Sequence, residues 1–209
     1  MVYCSGKPKL ILVLFSGSRS GGSDGDEGRS VALDGSGNTY VTGLFFETVD
    51  FDPGPGQDNH TSNGSGDVFL SKFNLNGESL WTQTWGGSTW DRGRSVDLDG
   101  SGNAFVTGSF TGKVDFDPSN EVDFHISNGN HDVFLSKFDS SGSFIWAPTW
   151  GGQDWDTAHS VAIDGLGNAY VTGYFKSTVD FNPGPSEDFL TANGDFDVFL
   201  SKFHPDGCW

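Results

Sequence analysis

The heptapeptide DVFLSKF stands at residues 67–73, again at 132–138 and again at 197–203. Successive side chains of an extended strand point to opposite faces. Val68 and Leu70 therefore face one way, while Phe69 and Phe73 face the other. A strand of this kind builds a sheet that is apolar on both sides, and such a sheet needs a neighbour on each.

The copies lie 65 residues apart (67 to 132 to 197), and the rest of the chain keeps that interval. Gly21-Gly22, Gly86-Gly87 and Gly151-Gly152 open three units. They are followed by RSVALDGSGNTYVTG from Arg29, RSVDLDGSGNAFVTG from Arg94 and HSVAIDGLGNAYVTG from His159. A fixed period of this size marks a repeat architecture. In the first unit, residues 30–34 and 39–45 are β-rich runs joined by the glycine turn DGSGN, a hairpin signal. Residues 68–73 make a third strand, and the turn at 74–77 leads into a fourth at 79–85. With no helix-length periodic segment between them, these runs predict an antiparallel meander.

Sheets with two apolar faces satisfy one another when stacked radially about an axis, so the expected fold is an all-β β-propeller. Its blades fall at residues 21–85, 86–150 and 151–209, the third lacking its last strand. Trp81 with Trp85, and Trp146 with Trp150, share one face of their strands and supply the contact between blades. Burying one such ring fully is worth about 5 kcal/mol before opposing terms. Three blades leave an arc with a bare apolar face at each end. Two completions are open: a six-bladed ring of two chains, a homo-oligomer, or a place within a longer propeller chain. Residues 1–20 stand ahead of the first blade. Their β-rich stretch at 10–18 reads either as a strand completing a partner's third blade or as a weak secretory signal.

The chain has 209 residues and 28 acidic against 11 basic side chains, a formal net charge of −17. Such a surface excludes nucleic acid and anionic membrane surfaces as partners. Cations, or protein and glycan surfaces of opposite character, fit better. The longest apolar run, residues 10–15, is too short to cross a bilayer. Cys4 and Cys208 lie outside the repeated pattern and have no metal-type spacing.

The extra length of each unit sits between its second and third strands, where the chain reads VDFDPGPG at 49–56, VDFDPSN at 114–120 and VDFNPGP at 179–185. In a meander, alternate loops share one edge, which gathers most of the acidic side chains on one rim. Two readings compete for the phrase. The first is a turn, with Asp or Asn bonding to its own backbone, Pro presetting φ, and Phe51, Phe116 and Phe181 pinning the loop. The second is a calcium loop built from Asp50, Asp52, Asp115, Asp117 and Asp180, with Asp26, Asp91 and Asp156 added from the neighbouring loop. Asn182 in the third copy, and the lack of a recurring bidentate Glu, favour the turn. Calcium is the cofactor to expect if one binds. Lys72, Lys137 and Lys202 recur in mid-strand and read as partners of a nearby Asp.

The stretch GGSTWDRGRSVDLDGSGNAFVTGSF at 86–110, with DVFLSKFDSSGSFIW at 132–146, resembles the bacterial β-propeller repeat family. The resemblance implies a propeller fold and an extracellular or cell-surface setting, and it brings no shared catalytic residues. The expected function is a non-catalytic repeat module, presenting an acidic loop face for protein, glycan or cation binding, or serving as scaffold in a secreted protein. The alternative is a fragment of a propeller hydrolase or lyase with its active site in the central channel. That reading needs unlike residues from unlike blades at the axis.

Overall fold

The computed structural model describes residues 25–209. The Cys4 thiol and the 10–18 stretch lie outside the described residues. Among those described there is no helix, and every named strand pairing is antiparallel. The first blade is β1 (Glu27–Leu33), β2 (Thr39–Phe45), a small hairpin β3 (Thr48–Asp50) and β4 (Asn59–Thr61), then β5 (Asp67–Phe73) and β6 (Ser79–Gly87). The second repeats it as β7 (Arg92–Leu98), β8 (Ala104–Phe110), the hairpin β9 (Lys113–Asp115) and β10 (Phe124–Ile126), and β11 (Asp132–Phe138). Its outermost strand is split into β12 (Phe144–Trp146) and β13 (Thr149–Gly152). The split falls at Ala147-Pro148, where the first blade has Thr82-Gln83; proline has no N–H for the ladder and is tolerated only at an edge. The third blade has β14 (Thr157–Ile163), β15 (Ala169–Phe175), the hairpin β16 (Thr178–Asp180) and β17 (Phe189–Thr191), and β18 (Asp197–Phe203).

Each glycine turn is locked by its leading aspartate. Asp34 Oδ1 accepts from the N–H groups of Ser36 and Asn38, and Asp99 and Asp164 do the same in the other blades. The innermost strands β1, β7 and β14 lie side by side, and Ser30 Oγ and Ser95 Oγ each accept from the N–H of the next blade's inner strand, at Val96 and Val161.

The blades stack through the two faces expected from DVFLSKF. Val68, Leu70 and Trp85 of the first blade form one core with Val96, Phe134 and Phe138 of the second. Val133, Leu135 and Trp150 of the second repeat it against Val161, Phe199 and Phe203 of the third. Trp85 lies 5.0 Å from the Phe138 ring, and Trp150 lies 5.0 Å from Phe203. The consequence of having a neighbour is visible in one peptide. All seven residues of β5 and of β11 are buried, whereas in β18 Val198, Leu200 and Lys202 are exposed. At the opposite end Val31 is 63% exposed, while its counterpart Val96 is 5% exposed. The described residues form an arc, not a closed ring.

The inserts do more than lengthen the blade. The hairpin β9–β10 pairs with the end of β6 through Asp115 opposite Gly86 and Val114 opposite Gly87, and β16–β17 pairs with the end of β13 in the same way. These two inserts thus extend the outer strand of the preceding blade and clip the two blades together. This explains the repeated Gly-Gly. A Cβ on Gly87 would lie 2.3 Å from the Lys113 carbonyl oxygen, so a side chain there would hold the hairpin off. Lys72 and Lys137 are ties of the same kind. Their ammonium groups donate to the carbonyls of Ser140 and Pro205 in the next blade, at 2.9 and 2.8 Å. Asp34 stands 3.9 Å from Lys72, so the expected aspartate is present as a lesser partner.

Candidate functional site

The carboxylates of the acidic phrase are turned inward on their own loops. Asp50 Oδ1 accepts from the N–H groups of Asp52 and Asp58, Asp115 from Asp117 and Asp123, and Asp180 from Asn182 and Asp188. Asp52 Oδ1 accepts from Gly54, Asp117 Oδ1 from Ser119, and Asn182 Oδ1 from Gly184. An amide oxygen does this work as well as a carboxylate, which is why Asn182 can stand in the third copy. Phe51 packs on Phe45 and Phe69, Phe116 on Phe110 and Phe134, and Phe181 on Phe175 and Phe199. Asp117→Asn should therefore shift stability by no more than about 0.5 kcal/mol. Asp115→Ala strands two backbone donors and should cost about 1–3 kcal/mol, read from urea unfolding midpoints.

Asp26, Asp91 and Asp156 do not come together with these loops as one cage. Asp91 accepts from Gly87 N–H at 2.6 Å and from Thr111 N–H at 3.1 Å, tying the outer strand of the first blade to the second. Asp156 makes the same pair with Gly152 and Lys176, and Asp26 accepts from Phe46. Among the described residues, no group of three or more His, Cys, Asp or Glu is gathered as a metal cage.

Four carboxylates expected on the acidic rim are in fact interior: Asp67, Asp91, Asp132 and Asp156 are all buried. Sequence reading placed them on the surface because an aspartate next to a turn ordinarily is. Burial pushes Asp67 up to about 6 and Asp91 and Asp132 up to about 7, and it raises Asp156 as well. Asp67 adds repulsion at Asp91, and Asp156 adds it at Asp132. A carboxyl whose folded pKa lies above its unfolded value binds its proton more tightly in the native state. Its contribution is complete below the unfolded value of 3.8 and is lost as pH rises through about 7. Below 3.8 the opposite group takes over. The turn carboxylates Asp34, Asp139 and Asp164 are held low mainly by hydrogen bonds, Asp164 at about 2, and lose their stabilisation as they protonate. Thermal unfolding should thus show a maximum at mildly acidic pH, with Tm rising by about 5 °C from pH 8 to pH 5. A Tm that climbs with pH over that range would refute the assignment.

The sequence concealed a second feature, at the axis. Arg29, Arg94 and His159 occupy one position in three blades, and with Glu27 they line an open depression of about 330 Å³. Each is the extra residue of a β-bulge. The pairing passes from Gly28 to Ser30, from Gly93 to Ser95 and from Ala158 to Ser160, leaving the residue between without a partner across the ladder. Bulges re-aim side chains. No alternation pattern reveals one, but the glycine opposite it can. Gly43, Gly108 and Gly173 face the bulges, and a Cβ on any of them would fall within 2 Å of the carbonyl oxygen of Glu27, Arg92 or Thr157.

Antiparallel sheets stacked face to face, with their inner strands side by side, define a propeller-type repeat protein. Residues 151–175, spanning β14, its turn and β15, match the family described as Beta-propeller repeat. The equivalent segments at 21–45 and 86–110 carry the same pattern. An uncharacterized WD repeat-containing protein of Acanthamoeba polyphaga mimivirus is 25% identical over 86% of this chain. The regulatory protein FlaEY of Caulobacter vibrioides is 28% identical over 69% of it. The chain spans 15% of the length of each of these relatives. A crystal structure of a protein of unknown function from Bacteroides caccae covers 88% of this chain and 80% of its own, at 11% identity and a TM-score of 0.31.

Proposed function

We propose that the chain is a non-catalytic β-propeller repeat module acting as a protein-interaction scaffold. Its open blade faces are completed by further blades of the same design, and its insert hairpins are presented to a basic partner. One observation supports this most. The insert keeps a constant frame while its exposed residues change. β4 exposes Asn59 and Thr61, β10 exposes Phe124 and Ile126, and β17 exposes Phe189, Leu190 and Thr191. Beneath them the Asp50-type loop and the Phe51-type anchor are the same in each blade. A rigid frame with variable side chains suits recognition, because little ordering entropy is lost on binding. Val122, Phe124 and Ile126 are all exposed beside Glu121, giving an apolar strip with an acidic border. Binding to an immobilised peptide of alternating lysine and leucine tests this. Affinity should fall as salt rises, and Phe124→Ser with Ile126→Ser should weaken it about tenfold or more. Equal binding by wild type and the double variant would overturn the assignment of this face.

A further inference from the structure

The depression at the axis gathers positive charge in a chain of net charge −17. Arg29 is held by Glu27, its Nη2 donating to Oε2 at 2.6 Å. Arg94 has no such partner. Its Nε is buried without a hydrogen bond, and no carboxylate lies within ion-pair distance among the described residues. Arg92, two residues earlier on β7, stands over the Trp90 ring at 4.8 Å. Three arginines thus share this end of the inner strands with one glutamate. Burial and mutual repulsion pull Arg92 and Arg94 below the usual guanidinium range, and they lower His159 likewise.

Like charges brought together at a partly buried place raise the free energy of the native state unless something neutralises them. The chain nonetheless places them there by one device used three times. A bulge on each inner strand turns residue 29, 94 or 159 out of the ladder, and a glycine on the next strand makes room for the carbonyl two residues before the bulged one. A buried guanidinium donor with no acceptor is an exception that calls for an absent partner. Guanidinium groups match oxyanions in particular, because their planar donors bind two oxygens at once.

We propose that the axial depression formed by Arg29, Arg94 and His159, with Arg92 beside it, is a binding site for an oxyanion, a phosphate or carboxylate group. Arg94 supplies the free donors, His159 borders the third side, and Glu27 limits the charge so that one small anion suffices. Inorganic phosphate and citrate are the probes, each compared with chloride at equal ionic strength. Phosphate or citrate at about 10 mM should raise Tm above the chloride control, by linkage to the native state. A larger effect of phosphate identifies a phosphate group as the preferred ligand, and a larger effect of citrate identifies a carboxylate. Arg94→Met should weaken the binding measured by calorimetry about tenfold. Arg29→Met is the second variant, and Lys113→Met, on the insert hairpin, should leave affinity unchanged. A wild-type Tm no higher in phosphate or citrate than in chloride would overturn the proposal. So would equal affinities for wild type and both arginine variants.

Discussion

Leu135→Asp is expected to prevent the chain from folding, whereas Leu200→Asp, the same change at the same place one blade further on, is expected to leave it folded. Leu135 is 0% exposed, lying in the core shared with the third blade, and Leu200 is 72% exposed. The buried substitution forfeits about 2–3 kcal/mol of apolar burial. It also places a carboxylate without partners between two sheets, which costs several kcal/mol more. A domain stable by about 5–15 kcal/mol does not comfortably survive that sum. The exposed substitution should change the stability of a single chain by no more than about 0.5 kcal/mol. Circular dichroism and urea titration of the two variants give the comparison. If both are tolerated, or both unfold, the two faces of the blade do not differ as described.

Gly108→Ala is expected to destabilise the chain by about 3 kcal/mol or more, although it adds a single methyl group. The new Cβ would lie 1.8 Å from the Arg92 carbonyl oxygen and 3.0 Å from the Phe134 ring. The first contact is with backbone, so no rotamer change relieves it. Either β7 leaves β8, or the bulge straightens and shifts every later residue of β7 to the opposite face. Gly100→Ala is the matched control, because a Cβ there meets nothing within 4 Å. A loss below about 1 kcal/mol for Gly108→Ala would mean that the bulge is pliable.

The strands and their two apolar faces were legible in the sequence because they are local. Period, turn residues and side-chain parity suffice to place β2 and β5 almost to the residue. The turn role of Asp50 and its copies was legible for the same reason: its acceptors and donors lie within eight residues. What escaped the sequence is non-local. The pairing of β9 with β6 joins short segments from different blades, and no pattern within either names its partner. The burial of Asp91 follows from that pairing, since it caps an outer strand ending in the previous blade. The cations at the axis were hidden by the bulge, which breaks the parity on which face assignment relies. Gly43, Gly108 and Gly173 were the available signal, one glycine at the same point of three otherwise β-rich strands.

An apolar blade face left bare at either end of the arc should draw a neighbour onto it, so that the chain associates through its open ends. Val198 and Leu200 at one end of the arc, and Val31 and Leu33 at the other, correspond to residues that are largely buried between neighbouring blades. Light scattering on the size-separated chain tests this directly, with Leu200→Asp run beside it. Particles larger than one 22.4 kDa chain, reduced to single chains by Leu200→Asp, are the predicted result. A wild-type chain that runs as a monodisperse, folded 22.4 kDa particle would contradict it.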